Sequence, residues 1–565
     1  MIRKVLLSAA AVVAAVAVIV AVSGGFRTTV GGLRISLRSP LPLAIISMAV
    51  FAIWYVSARR EKSIASDLGR VWVGLNQHSK FVAATALVAV FMTGVFATRS
   101  AAGADASGYI SESAMMSTGR LFQADELADL RRGHDPFLTS PLGWRPAGDD
   151  RQAPTYPPGL PLLMALPHAI AGVTGAAAVV IVAAGIAIVV TGLLAFELGG
   201  SIAAVLAAAF IAFTPVFIHQ SIQPMSDVPV TAAWMLCFLM LSRGGRSDTL
   251  AGISCAIAVL IRPNLAPLAA VPLVIARNRV GFAVPVAAAG VLLAAAQGLW
   301  YGSPVRSGYG SAEELFALSN IVPNAARYAR WLMGTAPAFV LAVFGAVRMR
   351  ADRLAQGLFV FAILVIGSYL VYAVFDDWSY LRFLLPALAI LAIFAAVELS
   401  AWIDRWPVAV RPLLLLAIVM GVTAHALWVT RSMDTFKLAD QLRRISVVAN
   451  FINEDVPPSA VIVAGEQSGS MRYYTDRPIV RWEAATADSL TAAMATLETS
   501  RRPVYFVLDA WEDGLFRRKF SALPAGALDW PPILDAGTSH RTRMWKLGDR
   551  ERFLRGEGVS TVRLP

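Results

Sequence analysis

The stretch TGAAAVVIVAAGIAIVVTGLLA, residues 174–195, carries no charged side chain. About 20 such residues, coiled into a helix, cross the roughly 30 Å hydrocarbon layer of a bilayer. The chain repeats this kind of block along most of its 565 residues. Runs near 5–22, 41–57, 81–97, 174–195, 200–218, 228–242, 249–262, 265–276, 281–298, 334–347, 357–375, 383–402 and 411–428 make about 13 candidate spans. None shows the alternation of a barrel strand, so the sequence predicts a helical, multi-pass membrane domain. The first run is read as an uncleaved span. Its apolar core is longer than that of a signal peptide, and no small-residue cleavage site follows it. The piece GLPLLMALPHAIAG is expected to lie at, or re-enter, the membrane interface.

Charge sets the orientation. The chain is 57% hydrophobic and 15% charged, with a net charge of +12. Its basic residues fall mostly in short loops, including Arg3 and Lys4, ARREKS, SRGGR, ARNR, RMRADR and DRWPVAVR. All lie on one side if the N-terminus is cytoplasmic. Arg27, Arg34 and Arg38 run against this scheme. No basic tract is interleaved with aromatics, so nucleic acid is not an expected partner. Cys237 and Cys255 lie within apolar runs and read as packing residues.

This orientation places three segments outside the cytoplasm: 98–158, 299–333 and everything after about 430. The loop 98–158 holds eight acidic and six basic residues. After residue 430 charges become frequent. Short β-type runs, AVIVAG and PVYFVLDA, alternate with the helix-like ADSLTAAMATLETS. The expected division is a transmembrane domain over 1–429 and an extracytoplasmic α/β domain over 430–565.

Polar residues gather at the outer ends of the spans. In GADASGYISESAMMSTGRLF, a helix over 105–118 puts Asp105, Tyr109, Glu112 and Met116 on one face, with Gly119 as its stop. Asp105 reads either as the helix N-cap or as a general base at a membrane interface. In APTYPPGLPLL, Tyr156 precedes two prolines that rigidify the start of the next helix. In HQSIQPMSDVPVTAAW, either Ser226 or Asp227 caps the helix that follows, or Asp227 faces the same cavity as Asp105. Arg262 in LIRPNLAP, Arg306 in YGSPVRSGYG, and Arg382 beside Tyr380 in FDDWSYLRFLLP supply cations. An interfacial arginine is costly unless it pairs, snorkels or grips an anion such as phosphate. Asp376 and Asp377 offer Arg382 an ion pair. Carboxylates and phosphate-gripping cations beside a membrane suit a lipid-linked phosphate donor. No GxxxxGK[ST] loop for ATP is present.

In their order (Asp105, YPPGLPLL, PMSDVP, IRPN, YLRFLLP) these motifs resemble the GT-C superfamily of integral-membrane glycosyltransferases. The resemblance is to the bacterial branch with protein O-mannosyltransferases and lipid A aminoarabinose transferases, and it covers roughly residues 80 to 400. It implies a GT-C membrane domain, a polyprenyl-phosphate sugar donor and an inverting direct displacement. It makes Asp105 the base and Arg262, Arg382 and Arg306 the donor-phosphate ligands. Tyr109, Glu112, Tyr156, Asp227 and Tyr380 would line the cavity. Family members often carry a second acid beside the loop acid, and here that position is Ala106. Some family members use a divalent metal and others do not; with no clear Glu/His ligand set here, no cofactor is expected and a metal is left open. The acceptor, whether protein, lipid or glycan, is not legible, and the expected location is the plasma (inner) membrane. The rival reading is a transporter or flippase of a lipid-linked intermediate. Such a protein needs ionisable residues deep within spans.

Overall fold

The structure, a computed structural model, describes residues 26–30, 33–37, 77–310 and 312–564. The expected spans 5–22 and 41–57 lie outside the described residues. Strands β1 (Phe26–Val30) and β2 (Leu33–Leu37) pair antiparallel. Among the described residues six helices are long and apolar enough to cross a membrane: His78–Phe96, Gly159–Ala212, Arg279–Tyr301, Arg353–Leu370, Trp378–Ile403 and Arg411–Ser432. A seventh is reached if Leu318–Thr335 and Pro337–Arg348, bent by 111°, count as one span.

The expected number of about 13 is therefore not reached among the described residues. The runs 174–195 and 200–218 fall within the single element Gly159–Ala212, which has non-helical backbone at Ala171, Gly172 and Gly200. The piece GLPLLMALPHAIAG is the start of that element, ahead of its first break. The runs 228–242 and 249–262 become Asp227–Arg243 and Ser247–Ile261, of 17 and 15 residues. At about 1.5 Å per residue each falls short of a full bilayer. The run 265–276 begins as a 3₁₀ segment, Pro263–Ala269, before Ala270–Ile275. Pro263 and Pro267 remove the amides that an α-helix requires there.

The described residues fall into two compact units. The first takes the chain up to 97, then 166–290 and 313–435. At its centre is Leu385–Ile403, where Leu385, Ala389, Ile393 and Ala396 are fully buried. This helix packs against Asp227–Arg243, Ala342–Arg348 and Arg353–Leu370.

The second unit gathers 98–165, 291–312 and 436–565, so the segment after the expected boundary near 430 shares its unit with two earlier stretches. A small antiparallel sheet has the order β3 (Gln123–Ala124), β5 (Arg151–Pro154), β4 (Trp144–Pro146). The larger sheet comprises β6 (Val461–Ala464), β7 (Ile479–Arg481), β8 (Val504–Asp509), β9 (Leu534–Ala536), β10 (Thr542–Lys546) and β11 (Val562–Leu564). Its order is β11-β9-β10-β8-β6-β7. Strand β6 is parallel to both neighbours, while β10 runs antiparallel to β8 and β9. AVIVAG and PVYFVLDA thus form β6 and β8, and ADSLTAAMATLETS is the helix Ala487–Thr499. Both central strands are buried along their whole length, as continuous apolar runs in a parallel sheet require.

Candidate functional site

The helix Ala104–Ser117 lies in the second unit and is not among the membrane-length helices. It ends where the sequence placed its stop. The Gly119 amide bonds the Met116 carbonyl, the Arg120 amide bonds that of Met115, and Gly119 takes φ +73°. This is a Schellman closure, for which glycine is the usual residue.

The start differs from one of the two readings of Asp105. The N-cap is Gly103, at φ 76°, and Asp105 stands inside the first turn. Its carboxylate instead accepts a hydrogen bond from Tyr156 Oη at 2.8 Å. Tyr156 is aimed by its surroundings. It follows β5, whose register sets Pro154 opposite Trp144, and the Thr155 amide bonds the Gly143 carbonyl at 2.9 Å. Pro157 and Pro158 then fix the backbone ahead of the next helix. The Tyr156 ring lies 4.6 Å from that of Tyr109 and 5.8 Å from that of Tyr309. A Cβ at position 108 would sit 2.1 Å from the Tyr156 ring, so only glycine lets the phenol reach over the helix to Asp105. Asp105, Tyr109 and Tyr156 are thus brought together, with Asp105 half-buried and both tyrosines buried.

Glu112 lies on the same helix but is fully enclosed, and neither carboxylate oxygen has a hydrogen-bond partner. Burial pushes its carboxyl well above the ordinary glutamate range. An acid raised in this way binds its proton more tightly when folded. Its contribution to stability is complete below the unfolded value and is lost as pH rises toward the folded one. Glu112→Gln should therefore be more stable than wild type by a margin that widens from about pH 5 to about pH 8. Thermal unfolding in detergent across that range checks this, and a margin independent of pH would contradict it.

Arg306 lies elsewhere in the second unit, on the wall of a cavity of about 490 Å³. Arg145, Arg151, Phe122, Phe137 and Trp300 also line it. That volume falls within the usual range for small-molecule pockets, about 300–1,000 Å³. Arg145 lies over Phe137 at 4.8 Å and donates to the Gly308 carbonyl. Cationic and aromatic walls of this kind can hold an anion and the apolar face of a sugar ring.

The remaining expected residues belong to the first unit. Arg262 is not an available phosphate ligand. Its guanidinium is committed to the Asp227 carboxylate, to Ser226 Oγ at 3.3 Å and to Tyr369 Oη at 3.2 Å. Asp227 is completely buried, so it neutralises Arg262 and lines no open cavity. Ser226 is the N-cap residue of the helix beginning at Asp227, but its side chain makes no cap bond. Asp376 binds Arg327 at 3.2 Å, and Asp377 caps its own turn through the Ser379 amide. The Arg382 guanidinium lies 5.1 Å from the Tyr380 ring and 5.2 Å from that of Phe383. Arg262 also lies over Phe383, at 5.5 Å. Tyr380 stacks on Phe375 at 4.0 Å. Tyr369 and Asn264, joined at 2.9 Å, carry no local signal in the sequence, because their link spans 105 positions.

Cys237 and Cys255 are buried free thiols. Among the described residues no group of three or more His, Cys, Asp and Glu is placed to hold a metal ion.

No family model matches the sequence, and no curated protein matches it significantly. Solved structures do. The crystal structure of ArnT from Cupriavidus metallidurans bound to undecaprenyl phosphate aligns with TM-score 0.51 at 15% identity, covering 85% of this chain and 98% of that one. The archaeal oligosaccharyltransferase AglB from Archaeoglobus fulgidus, in complex with an inhibitory peptide and a dolichol-phosphate, aligns with TM-score 0.48 at 14% identity. That alignment covers 82% of this chain and 72% of the other, and its score is too low to argue from. In its fold, then, the chain is like the ArnT structure.

Proposed function

We propose that the chain is a membrane glycosyltransferase. It would move a sugar from a polyprenyl-phosphate donor to an acceptor on the extracytoplasmic face of the plasma membrane. The observation that carries this reading is the half-buried Asp105 carboxylate, held by Tyr156 on a helix that is not among the membrane-length ones, in a chain with this fold. The ArnT structure it resembles is described as bound to undecaprenyl phosphate, which supports a lipid-phosphate donor.

In the proposed reaction an acceptor hydroxyl attacks the anomeric carbon from the face opposite the leaving group. The bond from that carbon to the phosphate oxygen breaks, and the lipid phosphate departs with the electron pair. Asp105 takes the hydroxyl proton, and the sugar configuration inverts. Tyr156 donates to Asp105 and fixes its direction, as a general base requires. Cations must offset the charge that grows on the departing phosphate. Arg306, in the same unit as Asp105, is the candidate. The N-terminus is assigned to the cytoplasm and the C-terminal α/β domain to the opposite side by the positive-inside rule.

The test supplies purified protein in lipid vesicles with a panel of polyprenyl-phosphate sugars and envelope extract. Consumption of one donor with release of lipid phosphate is the expected result. If no donor is consumed while lipid still crosses the bilayer, the chain is a flippase and the proposal fails.

A further inference from the structure

The Tyr156 phenol reaches Asp105 across a point where two backbones nearly touch. One is the Asp105 helix at Gly108, and the other is the chain at Gly143, just ahead of β4. A Cβ on Gly143 would lie 2.6 Å from the Gly108 Cα and 3.3 Å from its amide nitrogen. Gly143 also takes φ +90°, which side chains disfavour. A Cβ on Gly108 would lie 3.1 Å from the Gly143 Cα, besides striking the Tyr156 ring. Gly143 further sets the backbone that carries this ring, because its carbonyl takes the Thr155 amide at 2.9 Å. Whatever seats Gly143 against Gly108 therefore sets the direction of the Tyr156 hydroxyl.

The residues just before these two glycines, Ser107 and Leu142, meet one helix of the C-terminal α/β domain, Ser468–Thr475. Ser468 is fully buried, and its Oγ accepts from the Leu142 amide at 3.0 Å. A Cβ on Gly469 would lie 2.4 Å from the Leu142 carbonyl oxygen and 2.7 Å from Ser107 Oγ, so the backbones approach as closely as glycine permits. At the far end of the helix, Tyr474 Oη accepts from the Ala101 amide at 2.6 Å. The Arg481 amide, on edge strand β7, donates to the Leu138 carbonyl at 2.7 Å and ties the same loop to the larger sheet. All these residues belong to the second unit.

The helix is fixed to its own sheet in turn. Gln467, just ahead of it, donates to the Asp509 carboxylate at 2.9 Å and accepts from Ser470 Oγ at 3.2 Å. Asp509 ends β8 and pairs with Arg444 at 2.9 Å. All four of these side chains are buried. Ser468 thus offers its oxygen from a rigid support. An amide that loses such a partner must shift or find water, and its loop moves with it.

We propose that Ser468 is a positioning residue: by accepting from the Leu142 amide it seats Gly143 against Gly108 and so keeps the Tyr156 hydroxyl on the Asp105 carboxylate. The C-terminal domain thereby takes part in aiming the base. This rests on the reading of Asp105 as base.

The test uses the full chain in vesicles with the polyprenyl-phosphate sugar that the panel identifies. Ser468→Ala should lower kcat about tenfold, the scale of a misplaced reacting group, and leave the donor KM within about twofold. Exchange of the Leu142 amide with solvent deuterium should quicken in the same variant. A double-mutant cycle with Tyr156→Phe separates positioning from general support. Tyr156→Phe should itself lower kcat, and adding Ser468→Ala to it should cost less than about twofold more, because the bond it acts through is already gone. Should Ser468→Ala fail to fold, Ser468→Cys, which fills the same space with a weaker acceptor, replaces it. The assignment is overturned if Ser468→Ala costs as much in the Tyr156→Phe background as in the wild type. It is also overturned if Tyr156→Phe keeps wild-type kcat, or if exchange at Leu142 is unchanged. Asp105→Asn distinguishes the two readings. If that variant turns over like wild type, the base reading fails and takes this one with it. If Asp105→Asn is inactive while Ser468→Ala keeps wild-type kcat, only the Ser468 assignment falls.

Discussion

Asp105→Asn should reduce turnover about 100- to 10,000-fold, the range that general-base catalysis contributes, with little change in donor KM. The substitution is close to isosteric. An asparagine oxygen can still accept from Tyr156 Oη, which lies 2.8 Å from the carboxylate in the wild type. Asp105 is not the N-cap of its helix, so the variant should fold as the wild type does. What it loses is a group able to take the acceptor's proton. Release of lipid phosphate in vesicles measures the loss. Turnover at the wild-type rate in a folded Asp105→Asn would place the base elsewhere.

A second large effect concerns stability. Asp227 is fully buried against Arg262, whose side chain is only 11% exposed. Removing one member of such a pair leaves the other charge buried without compensation, at a cost of about 3–5 kcal/mol. Asp227→Ala should therefore lower the thermal midpoint in detergent sharply. Removing both charges is far less damaging when the space is filled, and often neutral. The double variant Asp227→Leu/Arg262→Met should recover most of the lost stability. Equal losses in the single and double variants would show that packing, not charge, holds this place. The same experiment bears on function. If the double variant keeps the donor KM, Arg262 is structural, as its engagement with Asp227, Ser226 and Tyr369 indicates.

What the sequence disclosed and what it hid divide along range. The helix 104–117 with its glycine stop, strands β6 and β8 and the helix Ala487–Thr499 depend on periodicity and turn chemistry within a dozen residues, and each was legible. The first turn was misread in one respect. Asp is so common a cap that Asp105 was a natural choice, yet the N-cap of this helix is a glycine, Gly103. Among the described residues about 13 spans are not reached, in part because prolines interrupt apolar runs, as at Pro263 and Pro267, and apolarity alone does not say whether a run is straight. Arg262 and Asp227 were each singled out, but their mutual bond was not, since nothing local links a helix start to a proline-rich turn. Glu112 was placed on the right helix, and only the packing of the whole unit reveals that it faces no open cavity.

The second unit is assembled from stretches that leave the ribosome far apart in time. Ala101 and Tyr474, which bond one another, are separated by 373 positions. At about 5–20 residues per second, roughly 20 to 75 s pass between the synthesis of the Asp105 helix and of the helix that docks against it. During that interval every intervening membrane-length helix must be inserted, while the segment bearing the base waits without its partner surface. Insertion is thus finished, or nearly so, before the acid can be set in place. A chain cut short after Ser432 would still carry Asp105, but without Tyr474 and its helix to dock beside it.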